Sequence, residues 1–333
     1  MVRALGHDPG QAPPAGLSWQ DYVDWLVATA GSLAAVAEKL ASLRGFKEDV
    51  GSIERALRRL RTRGQQAGGT WGVRALAAFG LPGAADQRAR WMGAYHSRFT
   101  DQPVGLCKDL VRLWDRPPVS EAPGSRLWLA LAHATCAQRA GAIEEAEEHL
   151  ARAQGCVAGA PAEARAERLL ALAFVASRRD PGRVCGLLAE VGKLLESDAD
   201  MPAYDRACLH ARWVDQRAYQ ITKGLEADGV DLAAAEALYR SIPTQGAPPF
   251  ALFRRANGLA YARWKQGDDD GGAALAREAC SHAGDGGHLR LRAMALSMIA
   301  RIVRGAEGEE ARRRALGIVA VLDDEALRLR FRG

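Results

Sequence analysis

Between Arg55 and Arg63 the chain carries five arginines and no acidic residue, in the run RALRRLRTR. Arg55, Arg59 and Arg63 follow one another at four-residue steps, so on a helix they share one face, and Arg58 broadens it. Guanidinium groups aligned in this way suit phosphate contact, because each is permanently charged and offers its donors in a fork. The run lacks the Asn, Gln and Ser that read base edges, so the contact expected is with a nucleic-acid backbone.

A second set of residues lies further on, where polar or bulky side chains interrupt otherwise apolar helical stripes: His133, Arg168, His210, Trp213, Gln216, Arg217, Arg254, Asn257 and Trp264. Asn257 is suited to bonding an extended peptide backbone, and Arg254 to clamping a carboxylate. Both point to a protein or peptide partner.

Catalytic chemistry finds little to build on. GxSxG, HExxH and GxxxxGK[ST] are absent. His282 and His288 flank CSHAGDGGH beside Cys280, but a zinc site needs about four convergent ligands. The acidic run Gly267–Gly272 lacks the alternating oxygen ligands and terminal Glu of a calcium loop and reads as a turn. Cys107 with His96 has no third orienting group. The expectation is a non-enzymatic protein with no cofactor and no metal.

The elements that must position these residues are helical. Of 333 residues 48% are hydrophobic, enough for a core, while aromatics make up only 6% and period-two β-branched runs are absent. No apolar run reaches the ~18 residues of a spanning helix, so no membrane partner is expected. Residues 1–17 read as a flexible leader without signal-peptide character. Six scattered cysteines without a CxxC pair suggest apolar fillers in a reducing compartment, hence the cytoplasm. The net charge of +5 is uneven: residues 1–120 hold sixteen Lys/Arg against eleven Asp/Glu, and 121–333 hold twenty-nine of each. A basic segment joined to a neutral one suggests two tasks on one chain.

Capping signals divide the N-terminal part. Ser18 opens a helix at Trp19, Gly31-Ser32 breaks it and caps the next at Leu33, and Asp49 caps a third from Val50 to Arg63. A fourth runs from Trp71 to Phe79. The second and third, with the loop at 44–48 between them, resemble a helix-turn-helix arrangement, whose second helix would enter the major groove. A small helical adaptor domain, of the death-fold kind, is the other reading of residues 18–83. Further on, RARWMGAYHSRF places Trp91, Tyr95 and Phe99 on one helical stripe.

From residue 84 to 322 the chain reads as paired helices. Ala134, Gly141, Ala146, Leu150 and Ala153 form one unit, and Leu172, Val175, Asp180-Pro181-Gly182, Val184, Leu188 and Val191 the next. Ala260, Gly267, Ala276 and Ala279, then Ile299, Ile302, Gly305, Ala311, Ala315 and Ile318, supply two more. Ala146 to Val184 and Gly267 to Gly305 are both thirty-eight residues. With small residues at the helix contacts and a turn glycine between, these units resemble tetratricopeptide repeats. The resemblance implies an all-α fold, a small N-terminal bundle followed by an α-solenoid, with residues 323–333 as a C-terminal cap. It also implies a concave groove along the inner helices that holds a protein or peptide. The expected protein is a regulator with DNA contact at its N-terminal domain or, alternatively, a pure adaptor with two protein-binding modules.

Overall fold

The computed structural model describes residues 16–43, 48–225 and 229–331. Most of the leader, most of the loop expected at 44–48 and part of the insertion TKGLEADGVD lie outside the described residues. Those described form an all-α protein with seventeen α-helices and no strand.

The chain divides into two compact units, residues 1–89 with 112–126, and residues 90–111 with 127–333. In the first, α1 (Trp19–Ala30), α2 (Leu33–Ala41), α3 (Val50–Arg61) and α4 (Gly69–Phe79) follow the capping signals. Ser18 and Asp21 make a reciprocal capping box, Ser32 accepts from Ala35 N, and Asp49 accepts from Ser52 N. The four helices bury one apolar cluster around Trp19, Tyr22, Leu26, Leu40, Leu57 and Leu60. Residues 117–126 join this unit: the Glu121 carboxylate accepts from Gly68 N at 3.0 Å, placing a negative charge at the N-terminus of α4.

Two helices come next, α5 (Gly83–Gly93) and α6 (Val104–Trp114). The stripe of Trp91, Tyr95 and Phe99 was expected on one continuous helix, but α5 ends at Gly93. A Cβ at Gly93 would run into the carbonyl and ring of Trp128, so only glycine permits this close approach. Trp91 and Phe99 still meet edge to face at 5.2 Å, and Tyr95 is released from the stripe.

The rest of the second unit is an alternation of helices: α7 (Pro123–Arg139), α8 (Ile143–Arg152), α9 (Ala162–Arg179), α10 (Val184–Ser197), α11 (Ala203–Thr222), α12 (Leu232–Arg240), α13 (Pro249–Lys265), α14 (Asp269–Asp285), α15 (Leu289–Ile302), α16 (Ala306–Leu322) and α17 (Glu325–Arg328). From α8 to α16, each helix packs on its successor. Beyond that, α9 touches α11, α11 touches α13 and α13 touches α15. These odd-numbered helices therefore form a continuous layer, and the even-numbered helices pack on it. Stacking of this kind supplies the apolar face that a single hairpin lacks. The turn glycines expected at Gly141, Gly267 and Gly305 all have positive φ, at 81°, 90° and 77°.

The first and last parts of this unit are tied together by buried polar contacts. Arg139, at the end of α7, donates through Nε to Asp324 at 2.9 Å, and Arg290 Nε donates to the same oxygen at 2.9 Å. Asp101 accepts from Arg290 N at 2.8 Å and lies 3.3 Å from His288 Nδ1. The residues read as a terminal cap thus contain a fully buried carboxylate that joins residues 185 positions apart.

Candidate functional site

The inner layer of the second unit encloses a cavity of ≈ 450 Å³. Its floor is the ring of Tyr95, with the guanidinium groups of Arg212, Arg290 and Arg254 at 4.2, 5.5 and 5.7 Å from the ring centre. Each of these arginines is held. Arg212 pairs with the buried Glu167, Arg254 Nη1 donates to Asp215 at 2.7 Å, and Arg290 is bonded to Asp324 and to the Tyr95 hydroxyl. Tyr239 donates to the other oxygen of Asp215 at 3.1 Å.

Helical spacing then sets what lies beyond the floor. One turn C-terminal of Arg212 and Arg254 come the carboxamides Gln216 and Asn257, and a further turn on come Tyr219 and Tyr261. On α15 the same count from Arg290 gives Met294 and Met298, then Arg301. Arg178, Lys223 and Arg301 line the cavity and are exposed; Arg330 also lines it and lies close enough to Arg290, Arg254, Tyr95 and Asp215 to feel their charge. Among the described residues none of the first three is paired with a carboxylate.

Charge is therefore strongly one-sided. Eight Arg or Lys side chains line the cavity against the single carboxylate Asp215. With Glu167 and Asp324 counted as the partners behind the wall, three carboxylates offset three of the eight, leaving a formal excess of five positive charges. Burial pushes the Tyr95 phenol up, but the charges of Arg290, Arg254 and Arg212 outweigh it and hold the group down at about 8. Asp324 is likewise raised by burial, yet Arg290 and Arg139 hold it below the usual carboxylate range.

Polar atoms around the cavity are also left without partners. Gln138 Nε2, Gln220 Oε1, Asn257 Oδ1 and Arg254 Nε are buried and bond to nothing in the described protein.

Of the residues singled out from sequence, Gln216, Arg254 and Asn257 line the cavity. The others lie elsewhere. Arg168 Nε donates to Leu150 O at 3.3 Å, His210 lies 5.6 Å from the Trp213 ring, Arg217 sits over that ring at 5.0 Å, and Trp264 packs in an apolar cluster with Ala260 and Ala276. Tyr95, Arg139, Arg212 and Arg290 were missed. A signal existed: Arg212, Arg254 and Arg290 recur at steps of 42 and 36 residues, close to the thirty-eight-residue period.

On α3, Arg55, Arg58 and Arg59 are exposed, opposite the buried Ile53, Leu57 and Leu60; the helix ends at Arg61 rather than Arg63, so Arg63 is exposed beyond it and not on the same helical face. Three are steadied locally: Arg55 by Ser52 at 2.9 Å, Arg58 by Glu54 at 2.5 Å and Arg63 by Ala67 O at 2.6 Å. His96 and Cys107 do not meet as a pair. His96 bonds Asp205 at 2.9 Å, and Cys107 Sγ lies 3.3 Å from Arg139 Nη1. Among the described residues no cluster of three or more His, Cys, Asp or Glu is placed to hold a metal, and no helix is long and apolar enough to cross a membrane. The acidic run at 267–272 serves as a cap, Asp268 accepting from Gly271 N at 2.9 Å.

Compared with protein-family models, with curated proteins and with solved structures, the chain matches none.

Proposed function

We propose that this chain is a non-enzymatic binding protein whose tetratricopeptide-like array captures the anionic part of a partner in its central cavity. The observation that carries this reading is the formal excess of five positive charges around a walled cavity. In such a site a bound anion meets positive charge that the protein's own carboxylates leave uncompensated. The array by itself suits a protein or peptide partner; the cavity narrows the contact to an acidic group on it.

Tyr95 provides the readout. Its phenol is expected to titrate near pH 8 in the free protein, followed by ultraviolet absorbance, and Tyr95→Phe is expected to remove that component. An anion entering the cavity disfavours the phenolate. Inorganic triphosphate or a hexaglutamate peptide is therefore expected to raise the midpoint by about half a unit or more. By linkage, binding weakens as pH rises through 8. A midpoint that neither probe moves would exclude anion capture.

A second reading concerns the N-terminal bundle, where the exposed arginine face of α3 supports contact with a DNA backbone. Replacing Arg55, Arg59 and Arg63 by Glu is expected to abolish duplex binding at low salt, whereas the unaltered chain loses affinity steeply as salt rises. If the unaltered chain shows no duplex binding in fluorescence anisotropy at low salt, the bundle is better read as a protein-interaction module, and the chain as an adaptor.

A further inference from the structure

We propose that the cavity enclosed by α7, α9, α11, α13 and α15 is a nucleoside-polyphosphate site, with the base held inward and the phosphates at the mouth. The inference rests on the anion-binding reading above and names the class of anion.

Four observations select this chemistry. The first is size: Asp324 bonds both Arg139 and Arg290 and ties the two ends of the array together around the cavity. A volume of ≈ 450 Å³ falls in the range that takes one compact organic ligand, roughly 300–1,000 Å³.

The second is the distribution of charge. The floor arginines are each matched to a carboxylate, while the exposed Arg178, Lys223 and Arg301, which we take as the mouth, are not. A single carboxylate would leave most of that excess uncompensated. Two or three linked phosphates, each with several acceptor oxygens, spread over the width of the mouth and match it.

The third is the set of carboxamides. Gln138, Gln216, Gln220 and Asn257 all line the cavity. A carboxamide presents a donor and an acceptor side by side, which is the pattern on the polar edge of a nucleobase.

The fourth is the material between floor and mouth. Tyr219 and Tyr261 face the cavity with Met294 and Met298, flat or adaptable surfaces against which a planar base can lie. Acidic peptides have no group that uses them.

The test is isothermal titration calorimetry of the full chain with the four ribonucleoside triphosphates, inorganic triphosphate, the unphosphorylated nucleosides and a hexaglutamate peptide. At least one nucleoside triphosphate is expected to bind tenfold or more tightly than triphosphate alone, the margin that stacking and edge bonds supply at about 1–3 kcal/mol. Replacing Arg178, Lys223 and Arg301 by Gln is expected to weaken that triphosphate about 30-fold or more, as loss of charge-assisted bonds would. Binding of the matching nucleoside is expected to stay within about threefold of the unaltered chain, because in this arrangement its contacts lie inward of the mouth. All three replaced residues are exposed, and circular dichroism checks that the array is retained. If triphosphate or hexaglutamate binds as tightly as every nucleotide, the nucleotide assignment falls and anion capture stands. If no probe binds, both fall.

Discussion

Asp324→Ala is expected to cost about 3–5 kcal/mol, the usual penalty for removing one partner of a buried ion pair, and to lower the thermal midpoint by ~10 °C or more. Asp324 has no exposed surface. One of its oxygens accepts from Arg139 Nε and from Arg290 Nε, both at 2.9 Å, and the other accepts from Leu327 N at 2.9 Å. Removing the carboxylate leaves two guanidinium groups in a wall already crowded with positive charge and uncaps the short helix α17. Asp324→Asn keeps the shape and one acceptor oxygen but not the charge. It is expected to lose nearly as much, which separates electrostatics from packing. Because the carboxyl is held below its ordinary range, this stabilisation is complete above the unfolded value near 4 and fades only as pH falls through the lower folded value. The measurement is thermal unfolding by circular dichroism at pH 7. A midpoint shift under about 3 °C in both variants would mean that the Asp324 contacts do not hold the unit closed.

The same residue shows what could be read from the chain beforehand. Caps and turns depend on neighbours within a few positions, so Ser18, Ser32, Asp49, Gly141 and Gly267 announced themselves through residue type and spacing. The all-α class followed from periodicity for the same reason. Asp324 offered only a local clue, an acid ahead of a short amphipathic stretch, and its role as a cap of α17 fits that clue. Its larger role depends on Arg139, 185 residues away, and on how far the array curves. Curvature accumulates from small rotations at each hairpin, and no short stretch of sequence fixes it. A concave groove is legible in the paired helices, but its closing contact between Arg139 and Asp324 is not.

Tyr95 illustrates a second limit. Its spacing from Trp91 and Phe99 fits one helical face, and periodicity alone kept it there. The break after Gly93 arises from a backbone approach to Trp128, thirty-five positions on, which a helical pattern does not register. Arg254 and Asn257 were found because they interrupt an apolar stripe. Arg212 and Arg290 interrupt theirs equally, and comparing one repeat with the next would have revealed them.

Trp19→Ala is expected to unfold much of the first unit, at a cost of about 3–5 kcal/mol, the range for a large aromatic deleted from a core. The side chain is fully buried and meets Tyr22 edge to face at 5.5 Å. Its indole Nε1 donates to Gln66 O at 2.8 Å, pinning the chain between α3 and α4 to α1. Gly68 and Gly72 lie flat against the ring, and a Cβ on either would overlap it, so the start of α4 is shaped to this one side chain. Removal leaves a cavity bordered by glycines that have no side chains to fill it, as well as a carbonyl without its donor. Trp19→Phe keeps part of the volume but not the donor, and is expected to lose less than half as much. The two effects separate in hydrogen exchange of the full chain. Amides of α1, α3 and α4 are expected to lose protection by a factor of a hundred or more in Trp19→Ala, the equivalent of about 3 kcal/mol. Protection that persists in α4 would show that Tyr22, through its bond to Gly80 O at 2.9 Å, anchors this helix without the indole.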